Sequence, residues 1–192
     1  RTAIRMKPDF SLAHYSLGIA LTKKGNLAES ISHYKTAIKI KPDYFLAHNN
    51  LGNTLTKIGK RKEAIVHYRA AIKSNPDYFL AHFNIANALA KSNELEEAIT
   101  HFRIAIKIKP DEAQAHNNLG ISLAKKGGLE EAMIHFGIAI KVKPDFAMAH
   151  NNLGGAFLME RKVKEAITHF RPAIKIKPDY IDAQKNLELA LL

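Results

Sequence analysis

Histidine, asparagine and lysine are the side chains of this sequence that could do chemistry, and each recurs on a fixed step. The ten histidines form two series: His14, His48, His82, His116, His150, and His33, His67, His101, His135, His169. A metal site needs two or three imidazoles converging on one ion. Within a series they stand a full 34 residues apart and no pair has i,i+4 spacing, so packing or surface roles are expected and no metal site. Histidine titrates near neutrality, which leaves some pH sensitivity open. Asparagine recurs on the same step at Asn50, Asn84, Asn118, Asn152 and Asn186, with Ser16 at the head of the series. A carboxamide both donates and accepts, so it can pair with the N–H and C=O of a peptide bond without reading side chains. Asparagine is a mediocre helix former, so five in register point to a use. There is no cysteine, which excludes disulfides and thiol chemistry and leaves the redox compartment undecided. The GxSxG, P-loop and HExxH patterns are missing. No catalytic residue and no cofactor is expected, and the chain reads as non-enzymatic.

The elements that position these residues follow from the same period. Pro8, Pro42, Pro76, Pro110, Pro144 and Pro178 are 34 residues apart and each precedes an aspartate. Small residues keep the step at Gly18, Gly52, Ala86, Gly120 and Gly154, aromatics at Tyr34, Tyr68, Phe102, Phe136 and Phe170, and alanine at Ala37, Ala71, Ala105, Ala139 and Ala173. Repetition at this spacing means a stacked array in which each unit buries its apolar face against its neighbours. In the most regular copy, Ala115, Leu119 and Leu123 mark the buried stripe of a first helix, A, and Ala132, Phe136, Ala139 and Ile140 that of a second, B.

Leu-Gly, a large apolar residue three positions on, a turn glycine, Glu-Ala, an aromatic, alanine and proline make up a pattern that resembles the tetratricopeptide repeat (TPR). Five full copies are read at 11–44, 45–78, 79–112, 113–146 and 147–180. Residues 1–10 read as the end of a truncated repeat, so that the chain looks like a piece of a longer protein, and 181–192 as a C-terminal capping helix. The resemblance implies an all-α fold, a right-handed superhelical solenoid of antiparallel helix pairs whose A helices line a concave face. The asparagine series resembles the ladder of the TPR superhelix of O-linked N-acetylglucosamine transferases, whose concave asparagines hold extended protein segments. Bacterial membrane glycosyltransferases with TPR tails carry similar repeats.

Helix A is expected to run for about 13 residues, with Asp43, Asp77, Asp111 and Asp145 as N-caps. Gly25, Gly59, Gly127 and Asn93 suit a left-handed A–B turn. Arg161 stands where the fifth copy needs such a residue, so its turn is expected to be strained or differently shaped. Pro172 falls inside a B helix and is expected to kink it. The residue before each repeat proline is biased away from helix, so B ends there.

The net charge is +11, from 29 basic and 18 acidic residues. Most of the acids sit where helices begin, after the prolines or as Glu29, Glu63, Glu97, Glu131 and Glu165, and many lysines sit where B helices end. Both placements suit the helix dipole. The remaining basic surface favours anionic partners, but arginine–aromatic interleaving and a nucleic-acid module are both lacking, so nucleic acid is disfavoured. No run of 18 or more apolar residues occurs, so no membrane span is expected.

If Leu51, Ile85 and Leu119 face helix B, then positions 2, 6, 9 and 13 of each repeat face the groove. Position 6 is the asparagine ladder. Tyr15, Asn49, Phe83, Asn117 and Asn151 at position 5, with Asn53 and Asn87 at position 9, are read as groove lining. Lys23, Lys57, Lys91 and Lys125 at position 13 form a rim. With no base at positions 2, 5 or 6 except Lys185, a clamp for a terminal carboxylate is rejected. The expected function is a protein–protein interaction scaffold binding a neutral to acidic extended segment. The alternatives are a self-assembly module, suggested by the apolar stretch Leu189–Leu192, and the targeting arm of a larger glycosyltransferase.

Overall fold

A computed structural model describes residues 10–192, and every regular element among them is an α-helix. The A helices are α1 (Ser11–Lys23), α3 (Phe45–Lys57), α5 (Phe79–Lys91), α7 (Ala113–Lys125) and α9 (Ala147–Met159), each 13 residues long. The B helices are α2 (Leu27–Ile40), α4 (Arg61–Ser74), α6 (Leu95–Ile108), α8 (Leu129–Val142) and α10 (Val163–Ile176), each of 14 residues. Helix α11 (Ile181–Leu191) follows. The truncated-repeat reading falls almost wholly on residues 1–9, which lie outside the described residues.

The described residues form two compact units, divided between Asn93 and Glu94. In the first, α1 packs on α2 and α3 on α4, while α2 and α4 each pack on the A helix that follows. In the second, α7 pairs with α8 and α9 with α10, and α6, α8 and α10 each pack on the next A helix. Neighbouring A helices touch as well, α1 with α3 and α7 with α9 among them.

The core is built from the repeated columns. Ala115, Leu119 and Leu123 are buried, as are Ala132, Phe136 and Ala139, while Ile140 is half-buried. Gly120 lets α8 come close to α7: a Cβ there would stand 2.6 Å from Cε1 of Phe136, and Gly18, Gly52 and Gly154 meet Tyr34, Tyr68 and Phe170 in the same way. At the junction of α8 and α9, Ala139 packs with Ala113 and Ala149, and Ile140 and Phe146 close over them.

One local expectation is corrected. The aspartates after the prolines do not cap helix A. The N-caps are the next residues, Tyr44, Tyr78, Glu112 and Phe146, and none makes a side-chain cap bond. Backbone carbonyls do the work instead, with Asp43 O accepting from Phe45 N and Tyr44 O from His48 N. The ring at Tyr44 or Phe146 takes the ammonium of Lys41 or Lys143 over its face, at 5.4 and 5.6 Å. Of the two outcomes expected at Arg161, the turn keeps its shape and is strained. Arg161 adopts φ 59°, the left-handed conformation that Gly25, Gly59, Gly127 and Asn93 adopt, and it does so with a Cβ. Helix α10 continues through Pro172 to Ile176. Thr168, whose carbonyl loses its donor to this proline, is an exposed residue.

Candidate functional site

Each unit carries a groove along its A helices. The groove of the first unit has a volume of about 500 Å³, with Asn50, Asn84, Asn53 and Asn87 in its wall. Lys23, Lys57 and Lys91 also line it. The groove of the second unit, about 510 Å³, includes Asn151, Asn152 and Asn186 with Ile121, Gly155 and Lys125. Positions 6, 9 and 13 therefore line both grooves. Position 2 lines neither, and Asn118 is half-buried outside the lining. Side chains from position 12 and from helix B complete the floors: Thr22, Thr56, Tyr34 and Tyr68 in the first unit, Ala124, Leu158 and Phe136 in the second.

Of the position-5 asparagines, Asn49 and Asn117 lie under the ladder, while Asn151 also lines the second groove. Asn49 and Asn117 are 1 and 0 % exposed. Four of the five position-6 carboxamides, those of Asn50, Asn84, Asn152 and Asn186, reach back one repeat to the residue beneath. Asn84 Nδ2 donates to Asn49 Oδ1 at 3.0 Å, Asn152 Nδ2 to Asn117 Oδ1 at 2.9 Å, and Asn186 Nδ2 to Asn151 Oδ1 at 3.0 Å. Asn50 Nδ2 donates to the Tyr15 hydroxyl at 3.1 Å. Asn117 Nδ2 in turn donates to Asn118 Oδ1 at 3.2 Å. One N–H of Asn84, Asn152 and Asn186 is thus spent inside the protein, which fixes the rotamer. A carbonyl and a second N–H remain on each amide.

Hydroxyls hold the floor of the first groove. Tyr68 donates to Asn53 Oδ1 at 2.9 Å, which turns the amide nitrogen of Asn53 away from the ring. Thr56 Oγ1 lies 3.1 Å from the Tyr68 hydroxyl and Thr22 Oγ1 3.3 Å from that of Tyr34. Burial pushes the Tyr68 phenol above its ordinary range, so it stays a donor at neutral pH. Tyr15 is raised chiefly by burial and then by the neighbouring Tyr44, Tyr78 and Tyr34.

The histidines form an arrangement that spacing within one series does not reveal. The two series pair with each other across the helices of one repeat, 19 residues apart. Nδ1 meets Nδ1 at 2.9 Å for His14–His33, 3.1 Å for His48–His67 and 3.0 Å for His116–His135. The A-helix rings also contact a proline carbonyl through Nε2: His48 with Pro42, His82 with Pro76, His116 with Pro110 and His150 with Pro144, at 2.9–3.1 Å. A carbonyl can only accept, so Nε2 carries the proton and neutral A-helix Nδ1 is the acceptor. The B-helix Nδ1 must then donate, which leaves its Nε2 facing a glutamate. That separation is 3.9 Å for His33–Glu29, 3.7 Å for His101–Glu97 and 3.8 Å for His135–Glu131. A first proton can enter at this Nε2 with the pair intact; a second breaks it.

In the fifth repeat the pair is open. The His150 and His169 rings are 5.8 Å apart, and both Nδ1 atoms are buried without a hydrogen bond. Phe157 stands where earlier repeats have Leu21, Leu55, Leu89 and Leu123, and it stacks on His169 at 5.6 Å. Among the described residues no group of three or more histidines or carboxylates could hold a metal. No described helix is long and apolar enough to cross a membrane.

Comparison with known proteins supports the fold. YrrB, described as a TPR protein with an unusual peptide-binding site, superposes with a TM-score of 0.85 at 20 % identity, over 97 % of this chain and 96 % of that one. MamA gives 0.82 at 23 % identity over 88 and 92 %. TTC0263, described as a thermophilic TPR protein in Thermus thermophilus, gives 0.68 at 20 % identity over 95 and 99 %. No curated protein matches the sequence. A TPR-repeat model matches residues 20–59, 52–93 and 86–127, and a second tetratricopeptide-repeat model matches 117–181. Together the two models span well over half of the sequence, and the chain belongs to the tetratricopeptide repeat family.

Proposed function

We propose that the chain is a non-catalytic scaffold that holds an extended protein segment against the position-6 asparagines, Asn50, Asn84, Asn118, Asn152 and Asn186. The observation that carries this reading is the tethering of Asn84, Asn152 and Asn186 by one N–H each, with a carbonyl and an N–H left over. A peptide bond needs one acceptor and one donor, and a carboxamide already fixed in place loses little side-chain entropy on binding. The exposed lysines at position 13 and the lack of an acid in either groove lining suit a neutral to acidic segment. YrrB, alike in fold, is described as having a peptide-binding site. The test is selection of binders from a library of extended peptides, followed by calorimetry on the Asn84→Ala, Asn118→Ala, Asn152→Ala triple variant. Removing Asn84 or Asn152 also strands a buried Oδ1 on Asn49 or Asn117, at about 1–3 kcal/mol each, so melting is recorded alongside. Loss of binding by a folded variant supports the ladder, and unchanged affinity rejects it.

A second reading is self-association through α11, where Leu189, Leu191 and Leu192 are 60, 62 and 104 % exposed. Light scattering over a concentration range separates the two, because a strict monomer at high concentration rejects assembly.

A further inference from the structure

The two grooves share an asparagine edge but differ in the balance of polar and apolar groups around it. In the first unit the helix-B aromatics are Tyr34 and Tyr68, and position 12 holds Thr22 and Thr56. In the second, the matching residues are Phe136, Ala124 and Leu158, and position 9 changes from Ile19, Asn53 and Asn87 to Ile121 and Gly155. The rim changes with them: Lys23, Lys57 and Lys91 line the first groove, whereas Lys125 is followed by Met159 in the second.

The helix end does not require these lysines. Each is the last residue of its helix, yet α9 has no base in its last turn and reaches the same 13 residues with Met159 at its end. Nor are they neutralised. Lysines elsewhere make ion pairs, as in Lys60–Glu63 at 3.0 Å, Lys109–Glu112 at 2.8 Å and Lys126–Glu96. Among the described residues Lys23, Lys57 and Lys91 make none, and no acid lines their groove. The floor adds to the bias, since the Tyr68 hydroxyl occupies Asn53 Oδ1 and leaves that amide as a donor. Three unpaired ammonium groups along a groove that holds donors and no carboxylate attract negative charge.

Building on the scaffold reading above, we propose that the first groove selects an extended peptide carrying aspartate or glutamate side chains, and that the second, with Lys125 as its one lysine, discriminates by charge far less. The acid side chains meet Lys23, Lys57 and Lys91 while the peptide backbone lies on Asn50 and Asn84.

The experiment uses the whole chain and three fluorescein-labelled peptides of equal length: acidic, the same sequence with Asp and Glu changed to Asn and Gln, and basic. Anisotropy is read at low and at physiological salt, beside a single-stranded oligonucleotide. The expected result is tighter binding of the acidic peptide than of its neutral twin by about tenfold, shrinking as salt rises. The ratio should collapse in Lys23→Ser, Lys57→Ser, Lys91→Ser and persist in Lys125→Ser. Equal binding of the acidic and neutral peptides overturns the proposal, as does a ratio untouched by the triple lysine variant. An oligonucleotide bound as tightly, and released by the same variant, also overturns it, by making the rim a general polyanion surface. A lysine-dependent ratio that survives Asn50→Ala, Asn84→Ala keeps charge selection and removes the ladder. Binding lost in that asparagine variant but indifferent to charge does the reverse.

Discussion

Replacing His135 with alanine and replacing His169 with alanine are unequal perturbations, although both residues occupy one repeat position. His135 gives a hydrogen bond to the buried His116, whereas His169 faces His150 across a gap with both Nδ1 atoms unpartnered. His135→Ala leaves a newly orphaned buried nitrogen. His169→Ala leaves none that was not already there. The first variant should be less stable than the second by about 1–3 kcal/mol in a denaturant melt. Equal losses would mean that the Nδ1–Nδ1 contacts contribute nothing. These pairs were legible in the sequence, but at a 19-residue interval within one repeat rather than along either 34-residue series. The interval matters because it sets residue 4 of helix A against its partner on the antiparallel helix B.

At the scale of the helix and its turn, Arg161 carries a cost that the other A–B turns mostly avoid. Its φ of 59° places a Cβ in the left-handed region, which costs a non-glycine residue about 1–2 kcal/mol. Arg161→Gly should stabilise the chain by about 1 kcal/mol and raise its melting temperature; no change, or a fall, would show that the turn is unstrained. The opposite holds inside α7. Gly120→Ala puts a methyl against the Phe136 ring and should destabilise by about 1–3 kcal/mol. The third repeat carries alanine at this position, Ala86, with both it and Phe102 fully buried, so such a variant should still fold. Helix lengths were legible because glycine and proline punctuate them. The N-caps were not. Aspartate has the right chemistry for a cap, but here it stands one residue early in the turn that the proline begins, and an aromatic or Glu112 takes the cap position.

Across the whole molecule the histidine pairs make stability depend on pH. Burial lowers the His67 pKa to about 4, helped by His48 and Lys35 and opposed by Glu63. His135 is lowered by burial, then by His116 and Arg103, against Glu131, and His169 by burial and His150. Burial lowers His82 too, against the Pro76 carbonyl and Asp77. Folded-state values below the unfolded 6.5 mean that the unfolded chain takes up protons first as pH falls. The stabilisation is complete above about pH 6.5 and is lost as pH drops toward the folded values. The melting temperature should therefore fall across that window, and less steeply in His67→Gln; a flat profile would contradict the pairing. The repeat architecture was open to sequence reading because one period governs every column. The groove was only partly so. Period alone placed positions 6, 9 and 13, but the inter-repeat bonds from Asn84 to Asn49 and from Asn152 to Asn117 depend on how neighbouring A helices meet. The most direct test of the ladder is the side-chain amide spectrum of the ¹⁵N-labelled protein, titrated with a selected extended peptide. The account predicts that the Nδ2 resonances of Asn84, Asn152 and Asn186 shift with the bound fraction while those of buried Asn49 and Asn117 move little. Saturating binding that leaves these three ladder amides where they were would contradict it.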